Sequence, residues 1–265
     1  MNTLGPVRVE FGAFSAHSDD SARNGNPNED AFAFLNEGST DFAAGVVADG
    51  VGGNPQGEVA STLVSGGYIT GVYNAAHQNE GAGILDVMAA GMRGAHTALA
   101  REKASQRLHP KAASTIVSLL VHKPSGEALV GYAGDSFAAQ VLLGGLHRLT
   151  TPHHNEEGHL VECMLGTRVP NYSVVRLGAR NGIPDRTRFV LGSDGVDEIK
   201  WRDDISRPGE WLGAAINRVQ AAAASRTKSP YQAARDLGMA SAVPDRGTSV
   251  LFDDTTVLVA DIYRR

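Results

Sequence analysis

The chain has 265 residues, 42% hydrophobic and 20% charged, an ordinary globular composition with enough apolar material for a core that needs no disulfides. A formal net charge of −5 leaves no basic excess to neutralise nucleic-acid phosphates or an anionic membrane, so neither is expected as a partner. Lone Cys163 excludes a disulfide framework or multi-cysteine zinc site, and there is neither a signal peptide nor an apolar run of the ~18–20 residues a membrane span needs, so a soluble, cytoplasmic protein is expected.

Residues 7–15, VRVEFGAFS, alternate apolar and polar and predict a strand. AFAFL (31–35) and FAAGVVAD (42–49) predict two more, with GST as turn material between them. From Pro55 to about Arg107 the period becomes helical: Val59, Leu63, Val64 and Tyr68, then Leu85, Met88, Ala89, Met92 and His96. NAAHQNEGAG between these sets reads as a connector, so two helices packed side by side are expected. Strands follow at TIVSLLV (115–121), EALVGYAGD (127–135) and FAAQVLL (137–143), the first two forming a hairpin around KPSG. LGGLHRLT reads as a turn into a short strand, while PHHNEEGHLVECMLGTRVP (152–170) carries no clear period. SVVRL and TRFVLGSDG predict strands, GEWLGAAINRVQAAAA and SPYQAARDLGMA predict helices, and TTVLVADI (255–262) closes the chain as a strand. Blocks of strands and blocks of helices indicate an antiparallel α+β architecture, and no linker or repeat divides residues 1–265 into more than one domain.

Four acidic sites share one pattern, an apolar strand followed by Asp and then small residues. They are VVADG (Asp49), GYAGDS (Asp135), VLGSDG (Asp194) and LFDDTT (Asp253, Asp254); a further pair, Glu29 and Asp30 in NEDAFAF, directly precedes a strand. Singly, each reads more readily as a turn cap than as a site. Together, strands from distant parts of the chain can gather these carboxylates at one sheet edge, where they repel one another unless a cation sits among them. Hard divalent ions such as Mg²⁺ or Mn²⁺ take such oxygen ligands, and the glycines after Asp49 allow a backbone carbonyl to approach an ion. Two such ions acidify a water and polarise a phosphoryl oxygen, an outline for phosphoester hydrolysis without a side-chain nucleophile.

Rival chemistries fit less well. In GVGGNPQGE, Gly57 is followed by Glu58 rather than the Lys of a phosphate-binding loop, and the dinucleotide fingerprint is not met. GSDG (192–195) is not a nucleophile elbow, and no H-E-x-x-H is present. HLVEC (159–163) reads as a surface element, His153 and His154 as a polar loop, and Cys163 as a packed thiol.

NEDA (28–31), VADGVGG (47–53) with GE-VAS after it, AASTIV (112–117), GYAGDS (131–136), LGSDGV (191–196) and DDTTVLV (253–259) occur in this order. The series resembles the bacterial branch of the PPM-type, protein phosphatase 2C-like family of metal-dependent Ser/Thr phosphatases, from about residue 8 to residue 262. The resemblance implies a four-layer α-β-β-α sandwich of two mainly antiparallel sheets flanked by antiparallel helix pairs. It implies two Mn²⁺ or Mg²⁺ ions, with Asp49 bridging them, the Gly50 carbonyl serving one, and Asp194 and Asp253 completing the site. Glu29 and Asp30 are implied to hold metal-bound waters, Asp135 with Asp194 a weaker third ion, Thr115 to support the site from beneath, and Asp254 to stand behind it in place of the usual Asn. Its substrates would be phosphorylated proteins, products of a Ser/Thr kinase.

The chain departs from the family pattern at several points. Gly25 occupies the usual place of the phosphate-binding Arg, leaving Arg23 as the candidate. Phe137 stands where Arg is common after GDS, Pro152 where LTxDH has Asp, and the flap that follows is short. Val51 takes the place of the eukaryotic acid His. The missing Arg and short flap motivate an alternative, a catalytically weak phosphoprotein-binding or regulatory module; a hydrolase of small phosphoesters would share the same site.

Overall fold

The computed structural model describes residues 6–78, 81–142, 145–155, 157, 160–168, 170–177, 186–197, 227–240, 243–245, 248–250 and 253–264. The first half of the chain contains β1 (Val7–Ala16), α1 (Asp19–Asn24), β2 (Asp30–Leu35), β3 (Phe42–Asp49), α2 (Gly57–Gln78), α3 (Ile84–Ala104), β4 (Ile116–His122) and β5 (Glu127–Ala133). The second half contains β6 (Phe137–Leu142), β7 (Gly145–Arg148), β8 (Ser173–Leu177), β9 (Thr187–Gly192), α4 (Asp194–Asp197), α5 (Pro230–Ala240), β10 (Val243–Asp245), β11 (Thr248–Val250) and β12 (Thr255–Arg264). Strands β2-β3-β4-β5-β8 form one five-stranded sheet and β1-β12-β9-β6-β7 another, with β10 and β11 as a separate pair. Every pairing is antiparallel.

Strand β3 shows why the sheets stack. FAAGVVAD is buried along nearly its whole length, so it has no polar face to alternate. Ala43 and Val47 point towards the other sheet, into a core with Leu119, Val130, Leu191, Leu258 and Ile262. Ala44, Val46 and Ala48 face the opposite way, onto Val64, Tyr68, Met88 and Met92 of α2 and α3. Each fully buried Val or Leu contributes about 1.5–3 kcal/mol relative to exposure. Between the sheets, a Cβ on Gly45 would lie 2.5 Å from Leu258 Cδ2, so glycine sets how closely the two sheets meet. Helices α2 and α3 also touch through small residues: a Cβ on Gly67 would lie 2.7 Å from the Gly94 carbonyl oxygen.

A third apolar cluster packs Ala233, Ala234 and Leu237 of α5 against Phe137, Val190, Val257 and Val259 on the outer face of the second sheet. The described layers are therefore helices on sheet, sheet on sheet, and helix on sheet, the α+β sandwich expected. The other helix read on that side, residues 209–224, lies outside the described residues. Two local readings change: α2 continues to Gln78, through half of the supposed connector, and the six-residue α1 was not anticipated. No helix among the described residues is long and apolar enough to cross a membrane.

Candidate active site

Both sheets deliver acids to one edge. Asp49 ends β3, and its register partner across the β2–β3 ladder is Asp30, so antiparallel pairing alone sets these two carboxyls side by side. In the second sheet, Gly192 at the end of β9 leads through Ser193 to Asp194, while Asp253 and Asp254 directly precede β12, the neighbour of β9. The charges of Asp30, Asp194 and Asp253 all bear on the Asp49 carboxyl. Asp49, Asp194, Asp30 and Asp253 thus lie near one edge of the paired sheets.

The electrostatics of this convergence are unfavourable for the bare carboxylates. Burial, then the Asp30 and Asp194 charges, push the Asp49 carboxyl well above its ordinary range. Asp30 rises from 3.8 to about 8, chiefly through burial; hydrogen bonds from Ser193 and Thr256 offset this in part, and Asp194 and Asp254 add to it. Glu29 is raised too, first by burial and then by Asp254, Glu58 and Asp253. Asp30 is gripped on one side only: Ser193 Oγ donates to its Oδ2 at 2.7 Å, while its buried Oδ1 has no hydrogen-bond partner among the described residues.

This donor set fits hard divalent ions. It is all oxygen, strongly negative, and includes a buried acceptor left over. Among the described residues no three His, Cys, Asp or Glu side chains are already arranged as a ligand shell.

Neighbouring groups fix the backbone on which the acids stand. Asp49 N donates to Thr115 Oγ1 (3.1 Å), Thr115 N donates to the Asp49 carbonyl (2.8 Å), and Thr115 Oγ1 meets Ser136 Oγ at 2.6 Å. Thr115 therefore has the supporting place expected of it. Gly50 N donates to the Glu29 carbonyl (2.9 Å), and a Cβ at Gly50 would run into the backbone of Gly57, so the turn after Asp49 closes against the start of α2. Asp254 does not join its neighbour Asp253 as an equal: its Oδ1 accepts from Ser18 N and its Oδ2 from Glu29 N, both at 2.7 Å. It thereby ties the starts of α1 and of the Glu29–Asp30 segment to the opposite sheet.

Arg23 lies in the last turn of α1, which is capped by Ser18 Oγ accepting from Ser21 N (3.0 Å) and closed by Gly25 at φ 70°. Its side chain is exposed and makes no hydrogen bond or ion pair among the described residues. Asp135 is engaged by His154, whose Nε2 lies 2.9 Å from Asp135 Oδ2, a contact the sequence did not signal beyond the doubled histidine. His153 is a strut, stacked on Tyr132 at 5.0 Å, accepting from Gly134 N through Nδ1 and meeting Ser173 through Nε2. Phe137, which replaces a common Arg, lies beneath Arg148, whose guanidinium carbon is 5.7 Å from the ring centre. Arg148 also donates to the Asp135 carbonyl (3.3 Å), so a cation returns to this corner from β7. Cys163 is half-buried and its thiol is pushed up to about 11, mainly by burial, in keeping with a packed, unreactive thiol. His159 lies outside the described residues.

A two-sheet sandwich with acids gathered near one edge suits a metal-dependent hydrolase. Comparison with known proteins narrows it. The model of the family described as protein phosphatase 2C matches residues 19–229, most of the chain, and the chain belongs to that family. It is accordingly a metal-dependent protein phosphatase acting on phosphorylated proteins. No curated protein sequence gives a significant match. Among solved structures, the Mycobacterium tuberculosis serine/threonine phosphatase PstP/Ppp superposes with a TM-score of 0.63 at 21% identity, covering 96% of this chain and 98% of that one. The PstP catalytic domain in complex with two manganese ions gives a TM-score of 0.65 at 22% identity, covering 97% of this chain and 99% of that one. Stp1 from Staphylococcus aureus gives 0.69 at 18% identity, covering 98% and 97%. At these identities the superpositions establish a shared fold.

Proposed function

We propose that this chain, read as one domain over residues 1–265, hydrolyses phosphoserine and phosphothreonine on proteins using two Mn²⁺ or Mg²⁺ ions. Asp49 would bridge the ions, the Gly50 carbonyl would serve one of them, and Asp194 and Asp253 would complete the set. Glu29 and Asp30 would orient water, and Asp135 would contribute to a weaker third position. The observation that carries the reading is the meeting of acids from both sheets: Asp49, the register partner of Asp30 across β2–β3, lies within range of the Asp194 and Asp253 charges. The manganese bound by the PstP relative supports the choice of ion.

When bound, such ions lower the pKa of water and polarise the phosphoryl oxygens. The chain's own residues do the rest. Asp30, held by Ser193 through Oδ2, would help to orient water at the site. Thr115 anchors the Asp49 backbone and Asp254 anchors that of Glu29, which restrains where these two acids stand. Arg23, which has no partner among the described residues, would supply its guanidinium to the phosphoryl group from a helix whose start is tied through Ser18 to Asp254. The substrates in this reading come from a Ser/Thr kinase, and the lone cysteine accords with a reducing, cytoplasmic setting. Nothing in the site favours the regulatory-module alternative over turnover.

The test is hydrolysis of p-nitrophenyl phosphate with Mn²⁺ by the wild type, Asp49→Asn and Asp194→Asn. Either substitution is expected to remove activity while the circular dichroism spectrum is unchanged; activity surviving both would refute the assignment.

A further inference from the structure

A cavity of about 250 Å³ opens where β9 begins and β12 ends, lined by Arg186, Arg188, Asp261 and Tyr263. It lies at the end of β9 away from Asp194: Arg188 is four residues before Gly192, roughly 13 Å of extended strand. Its floor is a finished ion pair. Arg188 is 2% exposed and donates through Nε and Nη2 to the two oxygens of Asp261, each at 2.6 Å. Tyr263 OH donates to the same carboxylate at 3.2 Å, and Arg188 Nη2 also donates to the Lys228 carbonyl at 2.7 Å.

The rim differs. Arg186 is exposed, makes no hydrogen bond or ion pair among the described residues, and holds a left-handed backbone at φ 55°, which residues with a Cβ rarely adopt. A guanidinium with no partner among the described residues, on an uncommon backbone at the mouth of a cavity whose described floor is already neutralised, is an arrangement for an anion that arrives from outside. We propose that this cavity is a second anion site, separate from the catalytic edge, that takes a tetrahedral phosphoryl group with Arg186 as its principal contact. The cationic site stands on its own geometry; the choice of phosphoryl over carboxylate rests on the phosphatase reading. Two sources share that chemistry, inorganic phosphate released by turnover and a second phosphorylated residue of a protein substrate.

The experiment titrates the metal-free full-length protein with inorganic phosphate, then with a phosphothreonine peptide, while following the arginine Nε–Hε resonances. The variants are Arg186→Gly, which removes the guanidinium and suits the left-handed backbone, and Arg23→Ala as a control at the catalytic edge. Saturable movement of the Arg186 resonance, with binding weakened about tenfold or more in Arg186→Gly and retained in Arg23→Ala, is expected. Response to phosphate identifies the free ion as a sufficient ligand, and response to the peptide alone identifies a docking contact. No movement of Arg186 with either probe, or equal binding by Arg186→Gly, overturns the proposal. Because the readout is binding without metal, failure here leaves the hydrolysis test untouched, and Arg186→Gly is expected to keep wild-type kcat on p-nitrophenyl phosphate.

Discussion

Asp254 and Arg23 are the residues whose roles depend most on what surrounds them. Asp254 is 6% exposed and accepts two backbone N–H groups from segments more than two hundred positions earlier in the chain. Asp254→Ala leaves both donors without their acceptor, and in the Mn²⁺-loaded protein this is expected to cost about 2–4 kcal/mol in denaturant unfolding, with Asp254→Asn costing less. An unchanged midpoint for the alanine variant would remove Asp254 from its tethering place. Arg23 has no competing partner among the described residues, and in the proposed reading its charge meets a phosphoryl group. Arg23→Ala is expected to raise KM for a phosphothreonine peptide roughly tenfold with a small change in kcat, and Arg23→Lys to recover part of it. Equal KM values would place phosphate recognition elsewhere. Asp49, Asp135 and Asp194 stand out in the sequence because each lies between an apolar strand and small residues. Ser193 and His154 do not, since a hydroxyl on Asp30 or an imidazole on Asp135 leaves no spacing signature in one sequence.

The elements differ in how openly the sequence states them. β3 and β4 read at once because burial on both faces leaves mostly apolar residues, Val117–His122 pairing with Phe42–Val47 in register. α1 did not read, because six residues with none buried carry no apolar period; Ser18 capping and the Asp254 tether hold it instead. α2 outran its expected end because Asn74–Gln78 is polar yet contains nothing that stops a helix. The hairpin of β10 and β11 was missed for a related reason: strands of three residues are too short to show alternation. At this scale the decisive joint is that of β3 with the segment before β4, made by Thr115 with Asp49 and Ser136. Thr115→Val keeps the shape and removes both hydroxyl bonds, so it is expected to lower stability by about 1–3 kcal/mol and to raise the Mn²⁺ concentration needed for half-maximal activity. Stability lost with no change in metal demand would make Thr115 a packing residue only.

For the whole molecule, the fold assembles a charge cluster that opposes its own ionisation. Asp30 has a folded value of about 8 against an ordinary 3.8, and Asp49 and Glu29 are displaced the same way. A carboxyl raised on folding adds stability while it is protonated, in full below its unfolded value, and that stability is lost as pH rises through the folded value. The metal-free protein should therefore lose thermal stability across the window from about 4 to about 8, and Mn²⁺ should restore more of it at pH 8 than at pH 5. Asp30→Asn should flatten the metal-free slope. Melting temperatures with and without chelator, across that range, check the sign. The central claim, that this edge turns over phosphoproteins only through divalent ions, is met most directly by one assay: phosphate release from a phosphothreonine peptide in chelator and then in excess Mn²⁺. Release confined to the Mn²⁺ condition and absent in Asp49→Asn is the result predicted; comparable release in chelator would contradict the account.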